Sequence, residues 1–249
     1  MNATAGQELI DRQEADERGE DEEACKPVIL FSNTTRAAFQ AWIETNDDDE
    51  FRFWDYEPFN AKSGRVVLYF FPTAVQALAV SKIITKIRSE LVRIGNDEEL
   101  SETLLTLPSP TLRFGIHLRL PDGALEPRDA FFKGLPNVVV HSAYTETWSH
   151  LEEKLRSYMT PTTTVQVAIG IKMFRSEKRI MIFRRIDDDN FYEDEVDLTT
   201  TEPGCISISV EALYHGVAIP TALVGHEAEE VKVDLKWLRN IIDTFERSL

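Results

Sequence analysis

The stretch LPDGALEPRDAFFKGLPNVVVHSAYTETWSHLEEKLRSY, residues 120–158, decides the fold. Its Pro121-Asp122-Gly123 segment turns the chain, because all three residue types favour turn geometry. Asn137–Ser142 (NVVVHS) is a short, nearly continuous apolar run, the pattern of a strand covered on both faces. Thr145 or Thr147 caps the helix that follows, whose apolar face is Trp148, Leu151, Leu155 and Tyr158. Thr164–Phe174 is again a strand. Strand, helix and strand in this order make a βαβ crossover with two parallel strands.

Outward from this unit, Leu112–Leu120 reads as a strand, and Asn96–Pro110 as a loop or insertion with a short helical turn. Val80, Ile84, Ile87, Leu91 and Ile94 step by four, three, four and three residues, which predicts a long amphipathic helix from Pro72 to Gly95. Before it, Phe51–Tyr56 and Arg65–Phe71 read as strands around a turn at 60–64, and Thr34 or Thr35 caps a helix running through Trp42 and stopped by 46–49. After the crossover, Arg179–Arg185 pairs back through Ser176-Glu177-Lys178. Asp187-Asp188-Asp189-Asn190 lacks the Gly and distal Glu of a calcium loop and reads as a solvated turn. Ile206–Val210 is a strand, and Asp234 caps a last helix with Leu235, Leu238, Ile242 and Phe245 on one side. The expected class is α/β, a mixed central sheet flanked by helices with a C-terminal strand-helix extension.

The chain has 249 residues, of which 43 are acidic and 27 basic, a net charge of −16. Residues 1–26 hold nine acids and three bases and no aromatic residue, so they are expected to be a disordered acidic tail. Residues 27–249 are expected to form a single domain, and they still carry −10. That balance argues against a broad non-specific nucleic-acid face, which needs clustered Lys and Arg. Cys25 and Cys205 form no disulfide framework, and no signal or membrane-spanning segment is evident. The expected location is cytoplasmic or nuclear. The remaining histidines show no metal-ligand spacing, and no phosphate loop or nucleophile elbow is present.

Several segments together resemble the PD-(D/E)XK restriction-endonuclease-like superfamily, in its branch of endonucleases with bacterial and fungal members. Phe71-Pro72-Thr73 and the helix after it resemble that branch's "MPT" and helix. Pro121-Asp122 matches its Pro-Asp, and Pro136–Thr147 is similar to its P-x-V-V-x-E-V-G-Y-S-E-S run. Leu151-Glu152-Glu153-Lys154 with Tyr158 resembles its helix lysine and following tyrosine, and Ile206–Val210 to Asp234-Leu235 resembles its tail. The likeness spans about residues 34–249 and implies a restriction-endonuclease-like core. It further implies metal-dependent phosphodiester hydrolysis on DNA, with Asp122 as a metal ligand and Lys154 as the catalytic cation.

The departures bear on activity. His141 stands where the family keeps its second metal-binding acid, Ala143 where it keeps lysine or glycine, and Gln76 where the first helix commonly has a histidine or acid. Carried over, His141 is a replacement metal ligand, and Gln76 and Glu146 are accessory residues. Imidazole is a poor ligand for Mg²⁺ and suits Mn²⁺, Zn²⁺ or Ni²⁺ better. Each residue also has a purely structural account. Asp122 is an ordinary turn residue, His141 a satisfied core histidine, Lys154 a side chain extending from the apolar face, and Glu146 a first-turn acid favourable to the helix dipole. Two readings follow. One is a nuclease fold with an altered metal site, hydrolysis weakened or lost, and a binding or regulatory role with a protein partner. The other is an active Mg²⁺- or Mn²⁺-dependent endonuclease acting on DNA.

Overall fold

The computed structural model describes residues 28–45, 54–60, 62–68, 73–115, 117–130, 136–143, 146–174 and 177–248. The acidic tail, Cys25, the Asn46–Asp49 stop and Pro72 lie outside the described residues. The chain divides into two compact units, Met1–Phe71 with Leu118–Leu120, and Pro72–His117 with Pro121–Leu249.

The first unit holds a three-stranded antiparallel sheet, ordered β1 (Val28–Thr34), β3 (Gly64–Leu68), β2 (Trp54–Pro58), and helix α1 (Arg36–Thr45). Thr35 is the capping side chain, its Oγ1 accepting from the Ala38 N–H at 3.1 Å. A small aromatic core of Phe39, Tyr56 and Val66 joins helix to sheet. A buried ion pair, Arg119 Nη1 to Asp55 Oδ1 at 3.1 Å, also lies within this unit.

The second unit is built on a six-stranded mixed sheet, ordered β11 (Phe191–Asp197), β10 (Glu177–Arg185), β9 (Val167–Phe174), β8 (Val138–Ala143), β7 (Gly123–Pro127), β4 (Leu104–Pro108). Strands β8 and β9 are parallel, joined by helix α3 (Trp148–Ser157), as the βαβ reading requires. All other pairs are antiparallel. Alternation along the strands sends side chains to two cores. On one face, Val138, Val140, Ile169 and Ile171 pack with helix α2 (Ala74–Gly95) and with the C-terminal strands and helix. On the other, Val139, Ala143, Ala168 and Phe183 pack under α3 through Leu151 and Leu155. The Val-Val-Val run of β8 is therefore continuous because it serves both cores.

Helix α2 buries the expected stripe together with Ala79 and Ile83, and its left-handed terminal residue is Asn96 at φ 48°. The C-terminal hairpin β12 (Cys205–Ser209) and β13 (Glu230–Asp234) precedes helix α5 (Leu235–Glu246), which Asp234 caps by accepting from the Trp237 N–H at 2.9 Å. A short helix α4 (Val210–Leu213) follows β12.

Several expectations are corrected. The segment Asn96–Pro110 holds the expected short helical turn, as 3₁₀ at Glu98–Glu102, but is not otherwise a loop: it carries edge strand β4, in which Leu104 is buried and Thr106 and Pro108 are exposed. Pro108 is tolerated because β4 pairs on one side only. The single strand expected over Leu112–Leu120 breaks into β5 (Leu112–Phe114) and β6 (His117–Arg119), with Gly115 between them at φ 49°. Asp122 lies at a bend, in keeping with the turn expected there, and Gly123 opens β7. Gly123 has no positive φ; it is small because a Cβ there would lie 2.6 Å from Ile84 Cδ1. Glu177 and Lys178 are not turn residues but the first residues of β10, paired with Phe174 and Met173. The Asp187–Asn190 turn is as expected, Asp187 Oδ1 accepting from the N–H groups of Asp189 and Asn190.

Helix α3 approaches β9 over a glycine. A Cβ at Gly170 would stand 2.7 Å from Leu155 Cδ1 and 3.0 Å from Leu151 Cδ2. Gly170→Val should therefore lift the helix and cost about 1–3 kcal/mol in urea denaturation. A change within about 0.5 kcal/mol, the range of an ordinary surface substitution, would show that α3 does not bear on β9 there.

Candidate metal and acid-amine site

Asp122 occupies the residue before β7, and its Oδ2 accepts a hydrogen bond from the backbone N–H of Ser142 on β8 at 2.5 Å. The residue keeps some solvent access while its carboxyl group is closely surrounded by protein. Loss of hydration pushes the carboxyl up to about 6, against the opposing pull of the Ser142 N–H and of Lys154; the charge of Glu146 adds to the upward shift. Asp122, Glu146 and Lys154 thus lie within electrostatic reach of one another.

Glu146 stands one residue before the helix cap, not in the first turn as expected. Thr147 is the cap, its Oγ1 accepting from the His150 N–H at 3.3 Å. The Glu146 carboxylate is buried, with Oε1 2.7 Å from Lys154 Nζ and 3.1 Å from His150 Nε2. Both neighbours approach Oε1 at ion-pair distance. The backbone oxygen of Glu146 accepts from the buried ammonium of Lys172. Burial lowers the Lys172 ammonium, and the nearby charges of Glu177 and Glu146 oppose that shift.

Lys154 is a buried residue on α3, beside Leu155 and Leu151. Its ammonium ends on Glu146, so it is more than an apolar stem with a solvated head. His141 is 4% exposed, and its Nε2 lies 2.9 Å from the Tyr158 hydroxyl; the two rings pack 5.6 Å apart at their centroids. Tyr158 is fully buried and packs in turn against Phe114. Ligation of an ion through Nε2 would displace the tyrosine. Gln76 is also spoken for: its Oε1 accepts from the Thr73 N–H at 2.8 Å while its own N–H donates to Thr73 Oγ1, a capping box that starts α2.

Of the five residues that the resemblance points to, the structure draws Asp122, Glu146 and Lys154 together. It commits the Nε2 of His141 to Tyr158 and Gln76 to a helix cap. Two residues were missed. His150 lies four residues after Glu146, across the cap, and Lys172 is a lysine inside the otherwise apolar strand VAIGIKMF. A cation in such a strand was the available signal, since a buried ammonium requires a partner.

Of the donors here, Glu146 offers a hard oxygen and His150 an imidazole nitrogen, 3.1 Å apart. These fit a divalent ion such as Mn²⁺ better than Mg²⁺, which favours six oxygens. Lys154 holds a positive charge against the same acids and would stabilise negative charge brought to them.

Burial makes the Asp122 carboxyl a weaker acid, and this predicts a pH signature. The unfolded carboxyl has its model value, 3.8, and the folded one about 6. The folded state therefore holds the proton more tightly, and stability should fall as pH rises between these values. Asp122→Asn keeps an acceptor for Ser142 and removes the ionisation. Urea titrations should show it more stable than the parent above pH 6, by at most about 3 kcal/mol, with a flatter profile from pH 4 to 6. Equal slopes in the two proteins would contradict this.

No family model matches the sequence, and no curated protein matches it. A solved structure from Anabaena variabilis ATCC 29413, described as "a putative nuclease belonging to DUF820", is similar at TM-score 0.52 and 11% identity, over 84% of this chain and 99% of that one. At that identity the likeness is one of fold. The six-stranded mixed sheet, its flanking helices and the C-terminal strand and helix are an arrangement that this chain shares with a nuclease-like protein.

Proposed function

We propose that this chain is a nuclease-fold protein of the PD-(D/E)XK type whose metal site is altered, with phosphodiester hydrolysis weakened or lost and the fold serving a binding or regulatory role. The observation that carries the reading is His141. It stands where the resemblance implies a second metal-binding acid, and it is buried with Nε2 against the Tyr158 hydroxyl at 2.9 Å. The ion pair between Lys154 and Glu146 points the same way, because an ammonium already neutralises the acid nearest the helix. The net charge of −10 outside the first 26 residues favours a protein partner over a nucleic acid.

A second reading, a divalent-metal-dependent endonuclease on DNA, is favoured by one observation. The charges of Lys154 and Glu146 both act on the Asp122 carboxyl, and Lys154 Nζ lies 2.7 Å from Glu146 Oε1, the grouping that metal-assisted hydrolysis uses. In that reading the ion would orient and activate water, Asp122 would help hold it, and Lys154 would face developing negative charge.

Cleavage assays on single- and double-stranded DNA with Mg²⁺ and with Mn²⁺ separate the two. The first reading expects no cleavage above the metal-free background. Metal-dependent cleavage that disappears in both Asp122→Ala and Lys154→Ala would establish the second. His141→Glu adds a carboxylate at the expected position and should strengthen Mg²⁺ binding. A variant that only loses stability would mark His141 as a core residue.

A further inference from the structure

We propose that strand β11 is a docking edge for an extended basic peptide, which joins the six-stranded sheet as a further strand and sets Lys or Arg side chains against Glu193, Glu195 and Asp197. The inference rests on the reading of this chain as a binding module and names the chemistry of its partner.

The open backbone comes first. Strand β11 lies at the edge of the sheet and pairs with β10 in unbroken register, from Phe191 opposite Arg185 to Asp197 opposite Arg179. Two bonds flank this ladder in the same register. The Ile186 N–H donates to the Asn190 carbonyl at 2.9 Å, and the Leu198 N–H to the Lys178 carbonyl at 2.8 Å. Hydrogen-bonded positions alternate in an antiparallel pair, so Tyr192, Asp194 and Val196 bond inward to β10. The N–H groups of Glu193, Glu195 and Asp197 therefore point outward, as do the carbonyls of Glu193 and Glu195. No backbone group among the described residues pairs with them.

Sheet edges are commonly guarded by shortness, a bulge, proline or lysine. The opposite edge, β4, has five residues and ends in Pro108. Strand β11 has seven, with no bulge, proline or lysine. What it carries is negative charge: residues 187–197 hold seven acids and no Lys or Arg. That charge selects the occupant. A second copy of this edge would set like charges opposite one another, whereas a basic strand would set opposite ones. Glu193 and Glu195 share the α3 face at the two-residue spacing of a strand, which asks for a base at every second position of the peptide. Arg156, 5.2 Å from the Phe191 ring centroid, pairs with Glu193 at 3.0 Å; Arg179, 4.2 Å from the Trp148 centroid, pairs with Glu195. These arginines hold the two acids in place, yet both side chains stay exposed, 37% and 42%. Exposed Tyr192, on the other face by alternation, offers apolar contact to the intervening residues.

The test adds a labelled synthetic peptide, Val-Lys-Val-Lys-Val-Lys-Val, to the full chain and follows fluorescence anisotropy and amide hydrogen exchange. The proposal expects saturable one-to-one binding, with slower exchange at the Glu193, Glu195 and Asp197 amides and no change at Asp194 and Val196. Glu195→Pro removes an outward N–H and no bond to β10, so it should weaken binding about tenfold. Glu193→Lys combined with Glu195→Lys should abolish binding, and it carries the comparison should Glu195→Pro not fold. A fully N-methylated form of the peptide keeps the charge but has no N–H, and it should not bind. Equal binding of that form would reveal charge attraction alone and overturn the docking edge. Absence of saturable binding would also overturn it. So would outward amides already protected in the free chain in proportion to its concentration, because a second copy would then be the occupant. Asp122→Ala should bind the peptide as the parent does. None of these outcomes depends on DNA cleavage, so failure here leaves the altered-site reading standing.

Discussion

Helix α3 lies against β9 where Gly170 has no side chain, and Leu151 and Leu155 fill the space that a Cβ would occupy. This close approach fixes the height of the helix above the sheet. Lys154 sits next to Leu155 on the same turn, so its ammonium is fixed with it. The Thr147 cap fixes where the helix begins and thereby sets Glu146 just outside it and His150 just within. The acid also meets the positive end of the helix dipole. One packing contact thus determines where a carboxylate, an imidazole and an ammonium meet.

The sheet contributes the other half. Parallel pairing places Ala143 of β8 beside Lys172 of β9, and the small side chain leaves room for the lysine to reach the Glu146 carbonyl. On the opposite side of β8, Asp122 is tied to the Ser142 N–H, and burial makes its carboxyl a weaker acid. Buried charge pairs contribute little net stability, because removing both charges from water costs about as much as their attraction returns.

Much of the architecture could be read from the sequence. The β8 run, the stripe of α2 and the periodic face of α3 each express a single strong pattern, and the crossover follows from their order. Strands β4 and β7 were hidden for a physical reason. Each is five residues long and is bounded by proline or glycine, whose turn preferences mask the local strand pattern. Asp122, Lys154 and Glu146 were legible only through resemblance, since each has an ordinary structural account. That His141 gives its Nε2 to Tyr158 could not be read, because it depends on how far a buried tyrosine at the end of α3 reaches back over the sheet.

The altered site rests on His141, whose Nε2 is bonded to the Tyr158 hydroxyl rather than open to a metal ion. A crystal of the full chain grown with Mn²⁺ and measured for anomalous scattering tests this directly. An altered site predicts His141 still against Tyr158, with no Mn²⁺ on its imidazole. A Mn²⁺ peak on the His141 imidazole, with Tyr158 displaced, would contradict it.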